Sequence, residues 1–211
     1  MEEKIIDFYN DHASIYDKEQ DEFGFVRTPE REIALRTIKK IAQQNHSVLE
    51  IGAGTGRFTL EVAPLVKQVT AVDVSCKMLD CMRQKMDAQG ITNVKRIYGN
   101  FMETSFEAKF DLIISFSAIE YIREKEALFT KIAGLLNPGG HVILTTAHDT
   151  FFRWWGRMGN YFRQGIFMDA YRKSEMKKLM AANGLEIKEL KDLSLKSIFS
   201  KGILLFVHAT K

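Results

Sequence analysis

Cysteine and proline are scarce in this chain of 211 residues: there are two of the first and three of the second. Cys76 and Cys81 cannot build a disulfide framework, and their separation fits neither a CxxC redox pair nor a zinc knuckle. A reducing compartment is the expectation. No apolar run approaches the roughly 18 residues that a membrane span requires, and the acidic opening stretch MEEKIIDFYNDH lacks an apolar signal core. The protein is therefore expected to be soluble and cytoplasmic. There is no internal repeat, no Ser/Gly-rich tract and no low-complexity segment. A dominant charge is missing too. The net is +3, with acid in excess through Ser105 and base in excess from Phe106 onward. That balance, without a recognised RNA-binding module, argues against a nucleic-acid partner. His12, His46, His141 and His208 are spread singly, so no metal site is expected.

What is present is ordinary globular composition, 45% apolar and 27% charged, with enough length for one well-buried domain. From Ser47 onward, short β-branched or apolar runs alternate with longer amphipathic segments, the pattern of a parallel sheet covered by helices. Strands are predicted over 47–51, 68–73, 95–98, 110–115 and 141–146. Helices are predicted over 57–64, 76–89 and 119–136, the last stopped by Asn137, Pro138 and the Gly139-Gly140 pair. A helix over 174–183 follows, then strands over 185–193 and 202–209, close enough to run antiparallel. Ahead of Ser47, amphipathic helices are predicted over 3–16 and 28–43, with Thr28 as cap and Pro29 in the first turn.

The first strand runs into Glu50-Ile51-Gly52-Ala53-Gly54-Thr55-Gly56-Arg57. Glycine in a strand-to-helix turn lets a ligand approach the backbone where a Cβ would collide. The dinucleotide fingerprint GxGxxG would need glycine where Arg57 stands, which disfavours a nicotinamide-dependent oxidoreductase, and the Gly-Lys-Ser/Thr of a P-loop is absent. The second strand ends at Asp73, about 20 residues beyond the turn, where a carboxylate can accept both hydroxyl protons of a ribose. Together they indicate a nucleoside ligand with no required pyrophosphate.

Over residues 45–147 these features resemble the class I S-adenosylmethionine-dependent methyltransferases, specifically the small-molecule type. The family's ExGxGxG matches Glu50, Gly52, Gly54 and Gly56, and its second motif matches Val72-Asp73-Val74-Ser75. Where the family usually has Gly-Asp after the third strand, this chain has Gly99-Asn100-Phe101. Phe110 to Ser115 resembles the fourth strand, and Leu135 to Gly140 the turn before the fifth. The resemblance implies a Rossmann-like α/β three-layer sandwich: a mostly parallel seven-stranded sheet with an antiparallel last strand. It divides one domain into a helical extension (1–45), a cofactor core (46–147), a candidate substrate lid (148–173) and a C-terminal helix with a strand pair (174–211).

It also implies S-adenosylmethionine as cofactor, contacted by Glu50, Gly52, Ala53, Gly54, Gly56, Asp73, Val74, Met78, Asn100, Phe101 and Ser115. Asp73 would hold the ribose, Met78 would pack on adenine, and the Asn100 carbonyl oxygen would accept from the adenine amino group. The acceptor should sit beyond the C-terminal ends of the strands. That selects Ser117, Glu120 and Tyr121 after the fourth strand and His148 and Asp149 after the fifth, with Glu120 and His148 as the catalytic candidates; Tyr16, Trp154 and Trp155 join Ser117 and Tyr121 as substrate-binding candidates. Many small-molecule relatives carry histidine where this chain has Glu120, which leaves His148 to take a hydroxyl proton near neutrality. The plainer alternative is that Glu120 caps a helix and His148 is a loop residue. The family's amine- and glutamine-directed members carry Asp/Asn-Pro-Pro-Tyr/Phe after the fourth strand, and its C5-directed members a cysteine there; Ser115-Phe116-Ser117-Ala118 is neither.

Residues 151–163, FFRWWGRMGNYFR, hold both tryptophans and read as a core helix, a lid over an apolar and anionic acceptor, or a membrane-docking element. The implied reaction is methyl transfer to a small molecule, at oxygen before nitrogen or carbon, leaving S-adenosylhomocysteine. An RNA methyltransferase and a non-catalytic cofactor-binding scaffold are the alternatives.

Overall fold

The computed structural model describes residues 2–150, 166, 168–193 and 202–211. Five strands, β1 (Ser47–Ile51), β2 (Gln68–Asp73), β3 (Val94–Tyr98), β4 (Phe110–Phe116) and β5 (Leu136–Ala147), run parallel. β7 (Leu204–Thr210) is antiparallel both to β5 and to β6 (Glu186–Leu193), and the sheet order is β3-β2-β1-β4-β5-β7-β6. Val48, Leu49, Ile113, Ile114, Val142 and Ile143 are all fully buried, as expected where helices cover both faces of a parallel sheet.

Three helices, α3 (Gly24–Ile41), α4 (Thr59–Val62) and α5 (Cys76–Gln89), pack on one face. Leu128, Phe129 and Ile132 of α6 (Lys125–Leu135) and Met176 and Met180 of α7 (Lys173–Ala182) fill the other. Two further helices, α1 (Glu2–His12) and α2 (Tyr16–Glu22), lie at the C-terminal ends of the strands, where the Asn10 side-chain oxygen accepts from Ser75 Oγ at 2.7 Å. β1 stands between β2 and β4, the point where strand order reverses and a crevice opens in sheets of this kind. No helix among the described residues is long and apolar enough to cross a membrane.

Three expected boundaries are corrected. The predicted helix over 3–16 divides into α1 and α2, with the Ile15 amide donating to the His12 carbonyl at 3.0 Å between them. Thr28 is not a cap: α3 begins at Gly24 and carries Pro29 inside it, at the cost of one backbone bond. The predicted helix over 119–136 is instead a 3₁₀ turn at Ile119–Tyr121 followed by α6, because Ile122 takes an extended conformation. β5 also starts early. Phe110 pairs with Leu136 and Leu112 with His141, so Asn137 to Gly140 bulge out of the ladder, where Asn137 Nδ2 donates to Asp111 Oδ1 at 2.8 Å.

Candidate active site

The three glycines of the turn have left-handed φ values of 70° (Gly52), 54° (Gly54) and 83° (Gly56), for different reasons. A Cβ on Gly52 would sit 2.2 Å from Ala118 Cβ, and one on Gly56 would sit 2.7 Å from Met82 Cγ. Those two glycines let the turn pack against the protein itself. A Cβ on Gly54 would meet only Tyr16 Cε1, at 4.0 Å, so Gly54 is the glycine that borders open space. The Asp73 carboxylate braces the same turn: Oδ2 accepts from the Gly54 amide at 2.7 Å and Oδ1 from the Ser75 amide at 2.8 Å. Burial raises the Asp73 pKa, and the amide bonds pull it back.

A cavity of about 550 Å³ opens beyond β1, β2 and β4. One side is formed by Asp73, Val74, Met78, Asn100 and Phe101 with Gly52 and Gly54, so seven of the expected cofactor residues meet there. Asn100 lines this side, and its Oδ1 accepts from the Met102 amide at 2.9 Å, which fixes the side chain at the wall. The other side is formed by Ile5, Tyr9, Tyr16, Phe116, Ser117 and Tyr121. Tyr9 donates to the Tyr121 hydroxyl at 2.7 Å, and Tyr121 donates to Met168 Sδ at 3.2 Å. Burial raises the pKa of all three tyrosines, that of Tyr16 to about 12. They stay protonated at neutral pH and act there as hydrogen-bond donors, not bases.

A smaller cavity of about 50 Å³ shares Tyr16, Gly52, Gly54, Phe116 and Ser117 with the first and adds Glu50, Ala53, Arg27 and Glu30. Glu30 is 2% exposed. Its Oε2 accepts from Arg27 Nη1 at 2.8 Å and its Oε1 from Ser117 Oγ at 3.0 Å and from Thr145, while Arg27 also donates to Ser117 Oγ at 2.7 Å. Burial would lower the Arg27 pKa, yet Glu30 and Tyr16 hold it above its usual value. Ser117 alone among the described non-glycine residues has positive φ, 51°, a strained conformation held by this network. Sequence reasoning missed Tyr9, Arg27, Glu30 and Thr145. An Arg and a Glu three residues apart on one helix was the available signal, hidden by reading Thr28-Pro29 as a helix start.

Glu50 and Ala53 line only the smaller cavity, and four further expected site residues line neither. Ser115 is fully buried and donates to the Ile51 carbonyl at 2.9 Å, tying β4 to β1. Gly56 packs on Met82. Glu120, 3% exposed, accepts from Thr146 Oγ1 at 3.2 Å beneath the wall. His148 Nδ1 lies 3.2 Å from the Gly202 carbonyl and 3.2 Å from Asp192 Oδ1, so the ring faces the start of β7. Trp154, Trp155 and the rest of 151–163 lie outside the described residues. Among the described residues, no three His, Cys, Asp or Glu side chains are grouped to hold a metal ion.

A glycine turn at the switch point of a seven-stranded sheet, joined to a half-buried strand-end acid, defines a nucleoside-binding α/β enzyme domain. A family model described as a methyltransferase domain matches residues 25–190, and the chain belongs to that family, as a class I S-adenosylmethionine-dependent methyltransferase domain. The malonyl-[acyl-carrier protein] O-methyltransferase of Priestia megaterium is 28% identical over 151 residues, 69% of this chain and 52% of that protein. The tRNA 5-carboxymethoxyuridine methyltransferase of Escherichia coli is 26% identical over 108 residues, 50% of this chain and 41% of that protein. The solved N-methyltransferase NodS of Bradyrhizobium japonicum, in complex with S-adenosyl-L-homocysteine, superposes with a TM-score of 0.68 at 22% identity over 86% of each chain. The chain spans about half the length of the curated relatives it matches. The donor set fits the cofactor: a half-buried carboxylate for a diol, open space at Gly54, and Met78 and Phe101 as apolar surfaces for a base.

Proposed function

We propose that the protein transfers the methyl group of S-adenosylmethionine to an oxygen of a small, largely apolar acceptor that carries negative charge, and that it does so in the cytoplasm. The observation that carries this reading is the single cavity running from Asp73 to Tyr121, walled on the acceptor side by α1 and α2. Its size lies in the roughly 300–1,000 Å³ range of small-ligand sites, and Ile5, Tyr9, Phe116 and Tyr121 favour an apolar body.

S-adenosylmethionine supplies a methyl group already activated on a sulfonium. The chain's own residues then have to bind, align and exclude water. Asp73 would hold the ribose, Asn100, Met78 and Phe101 would hold the base, and Arg27, whose charge is secured by Glu30 and which lines the smaller adjoining cavity, would pair with the methionine carboxylate. Alignment in a closed site can supply about 7–11 kcal/mol of the barrier reduction. The phenols of Tyr9 and Tyr121 donate hydrogen bonds but do not remove protons, and His148 faces Asp192. An oxygen that is already anionic near neutrality, such as a carboxylate or an acidic phenol, suits that wall best, since it needs no base.

Radiolabelled S-adenosylmethionine incubated with carboxylates, phenols, amines and total RNA tests the proposal. Label in the carboxylate or phenol fraction is expected. Label confined to RNA or to amines would overturn the acceptor assignment, and binding of cofactor without turnover on any class would favour a scaffold.

A further inference from the structure

Arg57 stands where a dinucleotide fingerprint would need glycine, and its side chain is used elsewhere. Its Nη1 donates to the Asp17 carbonyl at 3.2 Å and its Nη2 to Asp21 Oδ1 at 2.8 Å, both on α2. The Asp17 side chain completes the attachment. Oδ1 accepts from Thr55 Oγ1 at 2.6 Å, within the glycine turn, and Oδ2 pairs with Lys85 of α5. Lys85 also donates to the Thr55 carbonyl at 3.0 Å. Thr55 is 1% exposed, so its hydroxyl depends on Asp17 for a partner that water cannot replace. One carboxylate therefore joins α2, the turn and α5. Tyr16 precedes it in sequence, lines both cavities and approaches Gly54.

We propose that Asp17 is a positioning residue: through Lys85 and Thr55 it latches α2 across the glycine turn, holds Tyr16 over Gly54 and slows escape of the nucleoside cofactor. Two properties follow from the geometry. The ion pair is open to solvent, with Asp17 38% and Lys85 31% exposed, so dissolved salt screens it. Burial pushes the Asp17 carboxyl up, but the bonds from Lys85 and Thr55 outweigh this and hold it below its usual value, so the latch stays charged at neutral pH.

The test is the dissociation rate of S-adenosylhomocysteine from the full chain, measured by stopped-flow competition at low and high sodium chloride. In the unaltered protein, release should accelerate as salt rises. Asp17→Asn should speed release roughly 5- to 30-fold at low salt and reduce the salt dependence to the part that the remaining Arg57–Asp21 pair supplies. Lys85→Met should act similarly, and the double variant should be slower than the product of the two single effects predicts, because both remove the Asp17–Lys85 pair. Asp17→Glu should restore part of the slow release. Release independent of salt in the unaltered protein would overturn the proposal, and that measurement needs no variant to fold. Additive effects of the two substitutions, or Asp17→Asn lowering the melting temperature while leaving the release rate unchanged, would equally overturn it.

Discussion

Glu50 offers a direct check of how this site is built. It lies in β1 at 2% exposure, and Thr59 Oγ1 donates to its Oε2. Burial pushes its pKa from the ordinary 4.5 to about 8, against the pull of the Thr59 bond. With the folded pKa above the unfolded one, the contribution of this group to stability is fully present below about 4.5 and is lost as pH rises through about 8. At about 1.4 kcal/mol per pKa unit, that displacement corresponds to about 5 kcal/mol between the two limits. Glu50→Gln keeps the shape and the acceptor for Thr59 but cannot ionise. Urea unfolding of both proteins at pH 5, 7 and 9, without cofactor, should show the wild type losing several kcal/mol more than the variant, which overtakes it at the alkaline end. Other titrating groups, Asp73 included, are common to both proteins and largely cancel in the difference. Parallel stability curves would refute the reasoning, since they would mean that Glu50 enters the folded state already ionised at little cost.

The glycines should separate by role: Gly52→Ala drives a Cβ into Ala118 and should unfold the protein or lower its melting temperature sharply. Gly54→Ala should cost about 1 kcal/mol in backbone strain while weakening S-adenosylhomocysteine at least tenfold by calorimetry. Asp73→Ala should weaken the cofactor roughly 10- to 100-fold, since a hydrogen bond to a charged group is worth about 1.5–3 kcal/mol; unchanged affinity removes the ribose assignment. Tyr121→Phe removes the hydroxyl that accepts from Tyr9 and donates to Met168, and by loosening that wall should lower kcat/KM for the acceptor roughly tenfold while leaving S-adenosylhomocysteine affinity intact. His148→Ala should change turnover less than about twofold; a large loss with a shifted pH profile would return the histidine to the reaction.

The sheet was legible because its central strands are written in local pattern. Apolar runs such as Leu112-Ile113-Ile114 sit between turn residues, and β1, β2 and α5 begin and end where the sequence places them. The glycine turn and Asp73 were legible for a similar reason, being fixed by spacing along the chain. Asn137-Pro138-Gly139-Gly140 reads as a helix stop, and α6 does end at Leu135, but the segment is also a bulge in β5, because Leu136 already pairs with Phe110. Pro29 reads as a helix start and lies within α3, where the contacts of Arg27 and Glu30 with Ser117 and Thr145 hold the preceding turn. Those partners stand about 90 to 115 residues away along the chain, a separation no periodicity encodes. The distinction between Gly54 and its two neighbours was likewise invisible, since it depends on what Ala118 and Met82 bring to the turn.

The division of labour between core and N-terminus explains why the cofactor is easier to read than the acceptor. The cofactor side of the cavity is built by β1, β2, α5 and the residues after β3, all within the family-matched span that begins at residue 25. Ile5, Tyr9 and Tyr16, which form much of the acceptor wall, precede that span and sit on α1 and α2. These helices contribute no strand to the sheet and are held to it by side-chain bonds: Asn10 to Ser75, Asp17 to Thr55 and Lys85, Tyr9 to Tyr121. Attachment of this kind constrains the inner surface of the helices only at a few points. Ile5 makes none of these bonds, whereas Gly54 and Asp73 are bonded to each other within the turn. If the acceptor lies against α1 as proposed, substitution of Ile5 should redirect the acceptor with little effect on S-adenosylhomocysteine affinity, and unchanged acceptor preference would overturn that placement.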